Sequence, residues 1–125
     1  VFNIVPYSDS QGKTLAMMNN KKADRGVAIG FDTHQLPVLT LWKNTDTERQ
    51  GYVTGIEPGT SYAYPVKIER EQGRIKQLQP GKSTDFELTY TLLNNAEQVK
   101  EYQNKIKTLQ GDREVKLVDT PIAVE

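Results

Sequence analysis

Residues 86–92 of this 125-residue chain read Phe-Glu-Leu-Thr-Tyr-Thr-Leu. Phe86, Leu88, Tyr90 and Leu92 fall on one face, and Glu87, Thr89 and Thr91 on the other. A strict period of two belongs to a half-buried β-strand, so this stretch commits the chain to a sheet. Pro80-Gly81 lies just upstream. The fixed φ of proline and the tolerance of glycine for positive φ suit the two central positions of a type II turn.

Other stretches repeat the strand signal more weakly. Val1 to Val5 is a short apolar run ended by Pro6, and Ser8 to Gly12 has the composition of a turn. Strands are expected at Thr14 to Met18, at Gly26 to Phe31, at Leu36 to Trp42 and at Gly51 to Glu57. Val66 and Ile68 alternate with Lys67 and Glu69 as a short strand would. Gly73 breaks that run, and Ile75 and Leu78 resume it; Val115, Leu117 and Val118 add a last short strand. One helix is expected over about residues 95–110. Asn94 caps it with Glu97 three residues on, Val99, Tyr102, Ile106 and Leu109 form its apolar stripe, and Gly111 ends it. Glu101 and Lys105 are spaced to pair along it. The fold class is therefore mainly β, with antiparallel sheets and one late helix, read as a single unit over residues 1–125.

Composition narrows the function. Apolar residues make up 36% of the chain, which predicts a thin core, either of a small sheet with one wet face or of part of a larger unit. Sixteen basic and sixteen acidic residues cancel, and the basic ones are interleaved with acids, so neither nucleic acid nor an anionic membrane is an expected partner. No apolar run approaches the roughly 20 residues that span a bilayer. There is no cysteine and a single histidine, which excludes disulfides, thiolate chemistry and a zinc site of the usual kind. A glycine-rich phosphate loop and a Gly-x-Ser-x-Gly elbow are also missing from the sequence. The first residue is Val and Val-Phe-Asn-Ile-Val reads as the middle of a strand, so the chain is expected to be a piece of a longer polypeptide. Its compartment stays open between cytoplasm and periplasm.

Glu57 is the candidate catalytic group. Alternation puts Val53, Gly55 and Glu57 on one face of a strand. Gly55 clears space beside the carboxylate for a ligand, and Pro58 keeps Glu57 extended, so its aim is fixed. A general base needs that fixed aim; the alternative is a solvated turn carboxylate. Trp42, the sole tryptophan, is either a core residue or a flat platform for the C–H face of a sugar. Asp32, His34 and Gln35 crowd the bend before its strand and serve either turn geometry or substrate hydroxyls. Tyr62 and Tyr64, in the loop after Glu57, rim a cleft or cover the sheet. The candidate substrate-binding residues are thus Trp42, Asp32, Gln35 and Tyr62.

Three segments in order, "LPVLTLWKN", "GYVTGIEPGT" and "REQGRIKQLQPGKSTDFELTYTLL", give the chain a resemblance to the C-terminal part of aldose 1-epimerase (galactose mutarotase)-like proteins, in an uncharacterised branch with a Gly-Ile/Leu-Glu-Pro core. The resemblance spans roughly residues 26–93. It implies part of a two-sheet β-supersandwich that holds an aldose or sugar derivative in a groove, without any cofactor. It also implies a reaction in which a glutamate takes the proton of the anomeric hydroxyl while a histidine protonates the ring oxygen. By the resemblance Glu57 takes the glutamate's place. His34 matches neither histidine position of the family by motif and is assigned neither role. The histidines would come from strands upstream, in a missing N-terminal part of the same sandwich, so this portion alone is expected to be inactive. Two other readings stand beside the epimerase. One is a non-catalytic carbohydrate-binding β-sandwich module gripping sugar with Trp42 and the tyrosines. The other is a structural β domain of a larger enzyme.

Overall fold

A computed structural model describes residues 1–119. The elements run β1 (Phe2–Ile4), β2 (Lys13–Asn19), β3 (Gly26–Asp32), β4 (Val38–Lys43), β5 (Thr54–Gly59), α1 (Val66–Glu71), β6 (Leu88–Leu93) and α2 (Ala96–Gln110), with a 3-10 turn at Glu48–Gln50. The strands form two three-stranded antiparallel sheets, ordered β1-β4-β5 and β2-β3-β6. By internal contacts the chain divides into two compact units. Among the described residues, one holds residues 1–6, 36–85 and 118–119, and the other residues 7–35 and 86–117.

In the first unit β4 is the central strand. Val38, Leu39 and Thr40 are buried, so the first half of β4 is covered on both faces. Residues 44–53 join β4 to β5, closed by Asn44: its N–H donates to the Val53 carbonyl and its side-chain amide to the Gly51 carbonyl. Gly51 adopts φ +91°, a conformation glycine enters without a Cβ penalty. Pro58 is tolerated because β5 is the margin of its sheet, where a missing N–H breaks no ladder.

In the second unit β2 and β3 form a hairpin closed by Asn20, whose side-chain oxygen accepts from the N–H groups of Asp24 and Arg25. The helix α2 lies on one face of this sheet, where Ala28, Leu93 and Val99 make a buried cluster flanked by Leu15, Met17 and Tyr102. The Tyr102 hydroxyl meets Thr91 Oγ1 at 3.3 Å. The cap of α2 is one residue later than expected. Asn95 Oδ1 accepts from Gln98 N at 2.9 Å, and Gln98 Oε1 accepts from Asn94 N at 2.7 Å. Asn95 is thus the cap, and Gln98 reaches back one residue beyond it, to the N–H of Asn94, a variant of the capping box. The expected Glu101–Lys105 pair forms at 2.6 Å.

Three further expectations fail. Residues 66–71 are helix α1, not a strand. Ile75 and Leu78 lie in no regular element, nor do Val115, Leu117 and Val118, which are all exposed. The strand at 88–93 does form, but its alternating face is the open one: Leu88, Tyr90 and Leu92 are exposed, while Leu93 on the other face is buried. Among the described residues no helix is long and apolar enough to cross a membrane.

Candidate functional site

Register fixes the surroundings of Glu57. Thr40 on β4 stands opposite both Asn3 on β1 and Glu57 on β5, so the three form one polar row across the sheet. The next row on the same face pairs Trp42 with Gly55. Thr40 is buried, and its hydroxyl donates to Asn3 Oδ1 at 3.1 Å; the Ala63 N–H donates to the same oxygen at 3.3 Å. Asn3 Oδ1 and the Thr40 hydroxyl are therefore engaged with each other and with the Ala63 N–H. Glu57 is exposed, and among the described residues its carboxylate has no hydrogen-bond or ion-pair partner.

Gly55 decides where that carboxylate sits. A Cβ built there would overlap Oε1, Cδ and Cγ of Glu57. The space expected to admit a ligand is filled by the Glu57 side chain itself, folded back along its own strand. The acid group thus lies over Gly55, directly opposite Trp42. Trp42 is 40% exposed, too open for a core residue, and stands opposite Gly55 on the same face of the sheet. This is a carboxylate beside a partly exposed aromatic surface, held on paired strands.

The strap that follows β5 is held by a network the sequence reading missed. Glu69 of α1 is 1% exposed. Its carboxylate accepts from Arg74 Nε and Nη2, both at 2.7 Å, and from Tyr62 N at 3.0 Å. The bidentate guanidinium lowers the Glu69 pKa against the opposing effect of burial, with the Tyr62 N–H assisting. Arg74 also stacks over the Tyr62 ring at 4.7 Å, and Tyr64 meets that ring edge-on at 6.2 Å. Tyr62 is buried, and desolvation raises its pKa.

Asp32 and Gln35 belong to the other unit. Asp32 Oδ1 accepts from His34 N at 2.8 Å and contacts His34 Nδ1 at 2.9 Å, and Oδ2 accepts from Lys13 Nζ at 3.1 Å. The His34 N–H, then Lys13, hold the Asp32 carboxyl below its usual range. Gln35 Oε1 accepts from Glu87 N at 3.0 Å, tying the bend to the segment before β6. Both side chains thus hold the backbone at this bend. The His34 ring lies tight against Gly12 (φ +78°), where a Cβ would strike it. Elsewhere in this unit an open groove of about 610 Å³ between β2 and α2 is lined by Lys13, Leu15, Glu101, Lys105 and Leu109 among others. It includes none of the candidate site residues. Lys105 pairs there with Glu101 and Lys13 with Asp32, and Asp9 accepts from the N–H groups of Gln11 and Lys13. Among the described residues no three potential metal ligands converge.

The sequence profile of a domain of unknown function, DUF4432, matches residues 1–92. The chain belongs to this family. None of the curated proteins matches it. A solved structure from Klebsiella pneumoniae subsp. pneumoniae, of a protein provisionally named an aldose 1-epimerase, shares 63% identity with a TM-score of 0.89. The match covers 98% of this chain and 32% of that protein, so this member of the DUF4432 family spans about a third of the relative's length. Its two antiparallel sheets and late helix have the aldose epimerase-like fold, and it falls in the aldose epimerase-like superfamily.

Proposed function

We propose that this DUF4432 chain is the C-terminal, base-bearing portion of an aldose 1-epimerase-like enzyme of the Gly-Ile-Glu-Pro branch. The observation that carries the reading is the exposed Glu57 carboxylate, without a partner among the described residues, folded over Gly55 opposite the partly exposed Trp42. In the proposed reaction Trp42 receives the C–H face of an aldose. Glu57 accepts the proton of the anomeric hydroxyl while an acid protonates the ring oxygen. The bond between the anomeric carbon and the ring oxygen breaks and the anomeric carbonyl forms. Rotation about the adjoining C–C bond turns its other face to the ring hydroxyl. Closure then returns both protons, and no atoms are gained or lost. The acid is assigned to the part of the longer protein that this chain does not span. Asp32, Gln35 and Tyr62 are given supporting roles, because their polar or ring contacts are engaged with neighbouring backbone and side chains.

The reading is tested on the longer parent protein by NMR saturation transfer between anomers of a panel of aldoses. Glu57→Gln keeps the shape and removes the base, so exchange is expected to fall by about 10²–10⁴-fold. A variant as fast as the parent protein removes Glu57 from the mechanism.

A non-catalytic carbohydrate-binding module is the second reading. It is favoured by one fact: Trp42 is 40% exposed on the sheet face that carries Glu57, a contact surface that grips a sugar without needing any acid. In that case Glu57→Gln leaves sugar affinity nearly intact, and the parent protein accelerates no sugar.

A further inference from the structure

Strand β6 pairs along one side with β3, from Gly26 opposite Leu93 to Phe31 opposite Leu88. In the order β2-β3-β6 its other side is the margin of the sheet. A margin strand offers a row of unpaired N–H and C=O groups, and soluble proteins blunt such a row with lysine, proline, a bulge or a covering loop. Leu88-Thr89-Tyr90-Thr91-Leu92-Leu93 has no charge and no proline, and it pairs with β3 without a bulge.

On the face turned away from α2, β6 is equally unprotected. The rows there pair Phe31 with Leu88, Ile29 with Tyr90 and Val27 with Leu92. Exposure rises sharply along each: Phe31 and Ile29 are both 4% exposed, whereas Leu88, Tyr90 and Leu92 reach 37%, 65% and 71%. Phe86, at 44%, extends the apolar row before the strand starts. A covered core face is thus cut off midway across the sheet, at a strand whose outward side pairs with no other strand among the described residues. That is how an interior strand looks when its neighbour is missing.

We propose that β6 is an interior strand of the parent polypeptide, whose own chain pairs with the open side of β6 and covers Leu88, Tyr90 and Leu92. The occupant is argued from length. A protein 63% identical carries the same segment inside a chain of which this one covers 32%. The remaining chain is tethered at high effective concentration, unlike a second copy. The inference rests on the proposed reading only in taking this chain as part of a longer protein. It does not depend on Glu57 or on sugar chemistry.

Residue-resolved hydrogen exchange on the parent protein tests it. Alternate amides of 88–93 point to the open side, so an interior strand protects the whole segment. The outward amides are expected to exchange within about tenfold of those bonded to β3, whereas a margin strand leaves them about 100-fold or more faster. Outward amides that remain fast beside slow β3 amides overturn the proposal. Light scattering on the parent protein adds a second arm. Protection that disappears on dilution together with a dimer assigns the seam to a second copy, and also overturns it. Tyr90→Lys gives a third: it should lower the soluble yield of the parent protein severalfold, and an unchanged yield with unchanged exchange counts against a buried row. A parent protein with protected β6 but no anomer exchange upholds the seam and sinks the epimerase reading; activity with an unprotected β6 does the reverse.

Discussion

Removing the Glu69 carboxylate should be among the most damaging single changes in the unit that bears Glu57. Glu69 and Arg74 have side chains 1% and 7% exposed, and they share two bonds of 2.7 Å. Glu69→Ala leaves a buried guanidinium without its counter-charge and the Tyr62 N–H without its acceptor. Breaking one side of a buried pair costs about 3–5 kcal/mol, because the orphaned charge stays desolvated. The intact pair is worth far less against an apolar replacement, so Glu69→Leu combined with Arg74→Met should recover most of the loss. The pH dependence has a definite sign. The Glu69 pKa is lowered from an ordinary 4.5, chiefly by Arg74. Its contribution is therefore fully present above about pH 5 and fades as pH falls through the depressed folded value. Urea denaturation of wild type, Glu69→Ala and the double variant at neutral pH, and of wild type and Glu69→Gln down to pH 3, measures both effects. A single-variant loss under about 1 kcal/mol, or a double variant no more stable than Glu69→Ala, refutes the argument that an uncompensated buried charge sets the cost.

Three other outcomes follow from the same geometry. Gly55→Ala must push the Glu57 carboxylate off its position, yet it strikes only the far end of an exposed side chain; stability should change by less than about 1 kcal/mol. Anomer exchange in the parent protein should fall by about 10–100-fold, as expected for a misplaced base, and an unchanged rate breaks the link between that placement and function. Trp42→Ala removes a side chain already 40% exposed, so its denaturation midpoint should move little while sugar affinity measured by calorimetry drops; a loss near the 3–5 kcal/mol of a buried aromatic makes Trp42 a packing residue instead. Asn95→Ala deletes the 2.9 Å cap to Gln98 N and should cost about 1 kcal/mol, read as a lower midpoint in denaturation followed by helical circular dichroism.

Which of these features the sequence could disclose depends on the range of the interaction behind them. Alternation and turn chemistry are local, and they found all six strands and the Pro80-Gly81 turn, where Gly81 takes φ +73° and Lys82 N bonds the Gln79 carbonyl. Residues 66–71 mislead because Val66 and Ile68 alternate with Lys67 and Glu69 at a period of two, whereas the segment's fate is set by Glu69. A helical turn swings its carboxylate inward to a partner five residues on and to a backbone N–H seven residues back. No local pattern announces that pairing. Asn3 did leave a trace, as a polar residue inside an apolar run, but its partners Thr40 and Ala63 lie far along the chain. The cap of α2 shifted by one residue because Asn94 and Asn95 are equally good capping residues and only Gln98 decides between them.

The candidate site shows the same division at closer range. Gly55 two residues before Glu57 was legible as a cleared position, but what fills the clearing was not, since a vacancy in a strand can admit a ligand or the strand's own side chain. Register resolves the matter: with Trp42 opposite Gly55 and Thr40 opposite Glu57, a carboxylate folded over Gly55 sits beside the ring instead of above the polar row. Thr40 is bonded to Asn3 and draws nothing from Glu57, which leaves the acid group without a structural task within the described residues. A side chain kept in place by a missing Cβ and used by no internal contact contributes little to the fold. That separates it from Glu69, whose every acceptor bond is structural, and it is the physical reason to look for chemistry at Glu57 and not at the more deeply buried carboxylate.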